Sequence, residues 1–226
     1  ARIEPMKGMT SVARAVADLG LTGGVLGTEL DVVPARLYRR LEEVFPTWEL
    51  ADLSPLVLAQ RAVKDPGEIV ATRQATAVAD AGHRVAGEAI TPGMSELALA
   101  AEVELAMRRA GHEGYQPLRQ PGARGGGVLL MSGENLTIRG GHGLVVTGAG
   151  LSPGTPYGAS RRRLQPGDLV VLDIGSTCLG YTGDESRTYV VGRATAEQHA
   201  LFAVARAAEE AVLTALRPGV SVADLY

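Results

Sequence analysis

Val170-Val171-Leu172-Asp173-Ile174-Gly175, followed by Gly180-Tyr181-Thr182-Gly183-Asp184-Glu185-Ser186-Arg187-Thr188-Tyr189, is the stretch on which the fold turns. The turn residues Gln165-Pro166-Gly167-Asp168 precede an apolar run, so a strand is expected over 169–174. It places an aspartate near its end, although aspartate is disfavoured in strands. Another strand is expected over 187–191. If the two form a hairpin turning near Cys178-Leu179, the odd separation of Asp173 and Asp184 sets them opposite one another on one face. Opposed Cβ atoms lie about 5 Å apart. Two carboxylates that close repel, and desolvation strengthens the repulsion. A divalent cation removes it, and hard oxygen ligands suit Mg, Mn, Fe, Co or Zn. A bland alternative fits the same residues: two turn aspartates among Gly175, Gly180 and Gly183, with Arg187 as a structural partner.

Outward from the hairpin, Thr195-Ala196-Glu197-Gln198 reads as a capping box opening a helix that runs to about 216 and ends at Pro218-Gly219. Upstream, a helix is expected over 65–90. Ala71, Ala75, Val78, Gly82, Val85 and Ala89 recur at helical spacing and mark its buried face. Pro92-Gly93 stops it, and Ser95 caps a following helix with Glu96 in its first turn. That second helix is expected to turn Leu97, Ala101 and Leu105 inward, with Glu102, Glu104, Arg108 and Arg109 outward. Short strands fit 128–131 and 144–147. His112-Glu113 reads as a solvated turn after Gly111, and His83 and His199 as packing or surface residues. The first 60 residues read as a small α/β unit: a strand at 23–27, a helix at 34–45 and a strand at 48–53.

Pro92-Gly93-Met94-Ser95 and Pro218-Gly219-Val220-Ser221 each follow a long helix, which points to an internal duplication. The second copy stops at Tyr226, so roughly a hundred residues of a second half are expected beyond this chain. The 226 residues, 46% hydrophobic and 21% charged with net charge −3, describe a globular chain without the basic face that nucleic acid needs. A single cysteine, Cys178, allows no internal disulfide, so a cytoplasmic setting is expected. No apolar run reaches the ~18 residues of a membrane span.

The segment from Gly167 to Thr188 resembles the signature of the metallopeptidase superfamily of Xaa-Pro aminopeptidases, prolidases, methionine aminopeptidases and creatinase (M24). That signature runs Gly-Asp, apolar strand, Asp-x-Gly, Gly-Tyr, Asp-x-Thr-Arg; here Ser186 replaces the threonine. Three upstream segments resemble further family motifs in the same order: Arg61 to Ile69, Pro92-Gly93-Met94-Ser95-Glu96, and Ser132-Gly133-Glu134-Asn135. The resemblance covers 61–192. It implies an α+β pita-bread fold of two ααβ-type halves, with 1–60 as the end of a small N-terminal domain and 61–226 as the first, incomplete part of the catalytic domain.

It further implies two divalent metal ions (Mn, Co, Zn or Fe) held by Asp, Asp, His, Glu and Glu. Asp173 and Asp184 match the two aspartates, and Arg187 is expected to orient Asp184. The His and both Glu belong to the second half, so the fragment alone is expected to be inactive. The family's peptidases also carry a His before the Asp-x-Gly strand. Counting places that position at Tyr157, or at His142 if the intervening loop has shifted. The implied function is metal-dependent hydrolysis of a peptide bond next to proline, with a peptide or small amide as substrate. Neither nucleic acid nor membrane is an expected partner, and a homodimer follows by analogy. The altered His position keeps two alternatives open: a non-enzymatic binding protein on the same fold, and a creatinase-like amidinohydrolase or lyase.

Overall fold

A computed structural model describes residue 3 and residues 5–117, 119, 124–125, 127–139 and 146–225. The chain divides into two compact units, Ala1–Ala71 with Tyr115–Gly125, and Thr72–Gly114 with Gly126–Tyr226.

The first unit contains α1 (Met9–Asp18), β1 (Gly24–Thr28), α2 (Ala35–Val44), β2 (Trp48–Asp52) and α3 (Ser54–Ala62). Strands β1 and β2 run parallel, with Gly24 opposite Trp48 and Thr28 opposite Asp52, so α2 is a crossover helix. Phe45 is buried and meets Trp48 edge to face at 6.2 Å between ring centroids. Helices α1 and α3 bury little apolar surface, and the hydrophobic spacing of the sequence did not single them out. The short antiparallel strands β3 (Gln116–Pro117) and β4 (Arg124–Gly125) also belong here. Between them Arg119 donates to Asp31 and Glu29 at 2.6 Å each.

The second unit is built on α4 (Pro66–Ala89) from Thr72 onward, α5 (Glu96–Arg109), β5 (Gly127–Ser132), β6 (Leu169–Cys178), β7 (Tyr181–Val190) and α6 (Ala196–Ala215). Strands β5, β6 and β7 form one antiparallel sheet in that order. Strand β6 shows the alternation that a half-covered sheet requires: Val170, Leu172 and Ile174 are fully buried against the helices, while Val171, Asp173 and Gly175 face the other way. Helix α4 approaches so closely that a Cβ on Gly82 would sit 2.8 Å from Ile174 Cδ1. A larger residue there must displace the side chains of Ile174, Val103 and Met107. Ser95 caps α5 and Thr195 caps α6 with its full capping box, both as the sequence predicts.

Two expectations need correction. Helix α5 does not turn Leu97 and Leu105 inward; they are 38% and 45% exposed, and Leu99, Ala100, Val103 and Met107 are the buried face. Two apolar stripes compete along this helix. The stripe that is buried, Leu99, Val103 and Met107, lies on the same side as Glu96, itself fully inaccessible. The strand expected over 144–147 is absent at 146–147, and 144–145 lie outside the described residues. Among the described residues no helix is long and apolar enough to cross a membrane.

Candidate metal centre

Strands β6 and β7 turn at Leu179-Gly180, one position beyond the expected turn, with Cys178 paired to Tyr181. Both turn residues are left-handed, φ 53° and 75°, as a two-residue turn matched to strand twist requires. The carboxylate of Glu113 accepts from both turn amides, Leu179 at 3.0 Å and Gly180 at 2.9 Å. This register sets Asp173 opposite Ser186, and Asp184 opposite Gly175. The aspartates are therefore diagonal neighbours rather than directly opposed partners. They still share one face, because the register differs from the expected one by an even step.

That face points away from the helices. Asp173 is half-buried and accepts a short hydrogen bond from the Ser186 hydroxyl. Asp184 reaches solvent, yet local desolvation pushes its carboxyl pKa above the ordinary range, and the charge of Asp173 adds to the shift. The two carboxylates are like charges on diagonal positions of one face. Among the described residues no third His, Cys, Asp or Glu joins them.

Residues 147–158 fold over the same face at β5. Leu129 is the cross-strand partner of Asp173, and a Cβ on Gly158 would lie 3.5 Å from its side chain. The loop doubles back through Gly158 N to Thr147 O (2.6 Å), Leu151 N to Thr155 O (3.1 Å) and the Ser152–Thr155 bridge. Gly150 must be glycine: φ is +64°, and a Cβ would run into the backbone of Thr155 and Tyr157. Tyr157, half-exposed, therefore stands beside a residue that packs on the Asp173 face. His142, the competing candidate, lies outside the described residues.

Arg187 does not orient Asp184. It stands opposite Leu172, on the reverse face of β7, where it pairs with Glu185 and donates to Ser186 O at 2.8 Å. An odd step along a strand changes face, so residues 184 and 187 point to opposite sides. The solvated turn expected at His112-Glu113 is also overturned. His112 is only 8% exposed and its Nδ1 accepts from the Thr177 amide at 3.1 Å. Glu113 N donates to Thr177 O at 3.0 Å. His112 and Glu113 thus satisfy both backbone groups of Thr177 on β6. His83 is buried as well, between Tyr189 Oη (3.1 Å) and Glu185 O (3.0 Å).

Residues 70–226 match metallopeptidase family M24, and residues 1–63 match the creatinase/prolidase N-terminal domain. The chain belongs to family M24. It is 28% identical over 190 residues to the Xaa-Pro dipeptidase of Lactobacillus delbrueckii subsp. lactis, covering 83% of this chain and 45% of that protein. Among solved structures it resembles the prolidase of Pyrococcus horikoshii, with TM-score 0.73 and 25% identity over 98% of this chain and 55% of that one. It also resembles the dipeptidase PepE of Mycobacterium ulcerans, with TM-score 0.65 and 29% identity over 96% and 50%. The chain spans about half the length of the relatives it matches.

Membership of M24 implies divalent metal, and the donor set tests that implication. Two same-face carboxylates, diagonal neighbours across the β6–β7 ladder, supply the hard oxygens that such ions take. The residues fit the group. Reading the sequence missed Glu96. The sequence reads it as a first-turn residue favourable to the helix dipole and gives it no further role, whereas it is buried and bonded to Ser132 and Asn135. The signal was present, since Glu96 and Ser132-Gly133-Glu134-Asn135 were both singled out as family-like segments and their contact was not inferred.

Proposed function

We propose that this chain forms the first part of an M24 metallopeptidase that hydrolyses a peptide bond next to proline at a dinuclear metal centre, with Asp173 and Asp184 as two of the ligands. The carrying observation is their placement as diagonal neighbours on one sheet face, with the Asp184 carboxyl pushed up by burial and by Asp173. Bound divalent ions, of the Mn, Co, Zn or Fe class, polarise a scissile carbonyl and lower the pKa of water. The chain's own residues then hold and orient. The Ser186 hydroxyl, donating to Asp173, fixes the rotamer of that carboxylate. Tyr157 supplies a phenolic donor beside the same face, where charge develops on the carbonyl oxygen during attack.

The test uses the full-length protein. Metal content and Xaa-Pro dipeptide hydrolysis are measured for the parent, Asp173→Asn and Asp184→Asn. Both variants are expected to lose metal, and turnover is expected to fall by on the order of a hundredfold or more. Undiminished metal in both variants overturns the ligand assignment. Tyr157, which competes with His142 for the family's His position, favours a second reading if it fills that place: a metal-holding protein of this fold without peptidase activity. Stoichiometric metal with no turnover on any Xaa-Pro substrate selects that reading.

A further inference from the structure

The geometry points to Glu96 as a positioning residue: a buried carboxylate that latches the loop carrying Tyr157 onto the candidate substrate face. The inference rests on the proposed site. Glu96 opens α5 and is fully inaccessible to solvent. Its Oε1 accepts from the backbone amide and the hydroxyl of Ser132, both at 2.7 Å. Its Oε2 accepts from Asn135 Nδ2 at 2.8 Å, Ser160 N at 2.8 Å and Ser160 Oγ at 2.6 Å. The other side of Asn135 reaches on to the loop, where its Oδ1 accepts from Ala149 N at 2.7 Å. Both flanks of residues 149–160 are therefore tied to one carboxylate, Ser160 directly and Ala149 through Asn135. Tyr157 lies between the ties.

A helix first turn needs no such residue. A glutamate there normally stays in water, and burying its charge is unfavourable unless every lone pair finds a donor. Here the donors converge from β5, from the turn after it and from the loop, while Arg162 adds a cation. Arg162 bonds Ser132 Oγ at 2.9 Å and pairs with Asp168 at 2.6 Å. Glutamine cannot replace the carboxylate. Each Glu96 oxygen faces a backbone amide, Ser132 N on one side and Ser160 N on the other, so either amide rotamer sets an NH2 against an N–H. A group that only stabilised α5 would have no reason to satisfy both ends of a distant loop.

The experiment compares full-length parent, Glu96→Gln and the milder Ser160→Ala, with Glu102→Gln on the exposed side of α5 as control. Hydrogen–deuterium exchange is expected to quicken across 147–160 in Glu96→Gln, by on the order of tenfold or more, with a smaller rise in Ser160→Ala. Exchange in β6 and the metal content should stay at parental values. Loop exchange unchanged in both variants overturns the inference, as does an equal rise throughout the second unit. In turnover, kcat is expected to fall by on the order of tenfold in Glu96→Gln. Tyr157→Phe should lower kcat in the parent and add nothing in Glu96→Gln; full additivity overturns the coupling to Tyr157. A parent that holds no metal and turns over no Xaa-Pro peptide defeats the proposed function, and the exchange measurement still decides the latch.

Discussion

At Asp184, burial and the charge of Asp173 both push the carboxyl pKa above its ordinary value. A folded-state pKa above the unfolded one means the native chain holds its proton longer. Stability from this group is present below the unfolded value and is lost as pH rises through the folded one. The metal-free protein near neutral pH therefore carries a repulsive load, kept small because Asp184 reaches solvent. Asp184→Asn is expected to stabilise the chelated protein by about 0.5 kcal/mol, while removing its metal affinity. Thermal melts in the presence of a chelator check this, and a lower melting temperature for the variant contradicts it. His112 behaves in the opposite sense. Burial pushes its pKa below the ordinary 6.5, and its Nδ1 must stay unprotonated to accept from Thr177. Its contribution is complete above about pH 6.5 and is lost as pH falls below that value toward the depressed folded pKa. His112→Asn keeps an acceptor near Nδ1 without titrating there, so urea midpoints between pH 7 and 5 should fall less steeply for the variant. The chemistry of both residues was visible in the sequence. Their neighbours were not, because a pKa depends on what surrounds a group and the chain order lists only what precedes and follows it.

The β6–β7 hairpin depends on a leucine in a left-handed turn position, a conformation that costs a non-glycine residue about 1 kcal/mol. Glu113, bonded to both turn amides, offsets that strain from outside the hairpin. Leu179→Asn is expected to raise stability by about 1 kcal/mol, and Glu113→Ala to lower it by a similar amount; denaturant unfolding measures both. The face of α5 is tested in the same way. Met107→Ala should cost about 2–5 kcal/mol, and Leu105→Ala no more than about 0.5 kcal/mol. Equal effects would restore the inward face expected from the sequence. Helix and strand identities were legible wherever periodicity and punctuation agreed, as at Ser95, Thr195 and the 169–174 run. The rotation of α5 was not, because two apolar stripes satisfy the same period. The hairpin register depended on a left-handed leucine that turn chemistry disfavours.

At the scale of the molecule, helix α6 leaves its apolar side chains in solvent. Leu201, Phe202 and Leu213 are 67%, 57% and 62% exposed, and no residue of the helix is buried. Exposed apolar side chains along one helix favour association in water. The 226-residue chain by itself is expected to bind a hydrophobic dye and to self-associate, and Phe202→Glu with Leu213→Lys should reduce both; light scattering and dye fluorescence record it. A monodisperse, dye-silent monomer contradicts the expectation.

The order of motifs from Arg61 to Thr188 was enough to place the chain in family M24, and the spacing of Asp173 and Asp184 was enough to set them on one face, because strand alternation and even-step parity survive an error of register. Residue order also contained the caps of α5 and α6, since a cap is a local contact. Tertiary structure alone decided that Arg187 turns to the reverse face, that His112 serves as a sheet-edge acceptor, and that Glu96 gathers Ser132, Asn135 and Ser160. Each of those outcomes depends on which distant backbone amide or strand arrives beside the side chain. Such long-range pairings arise from packing and leave no local period in the sequence.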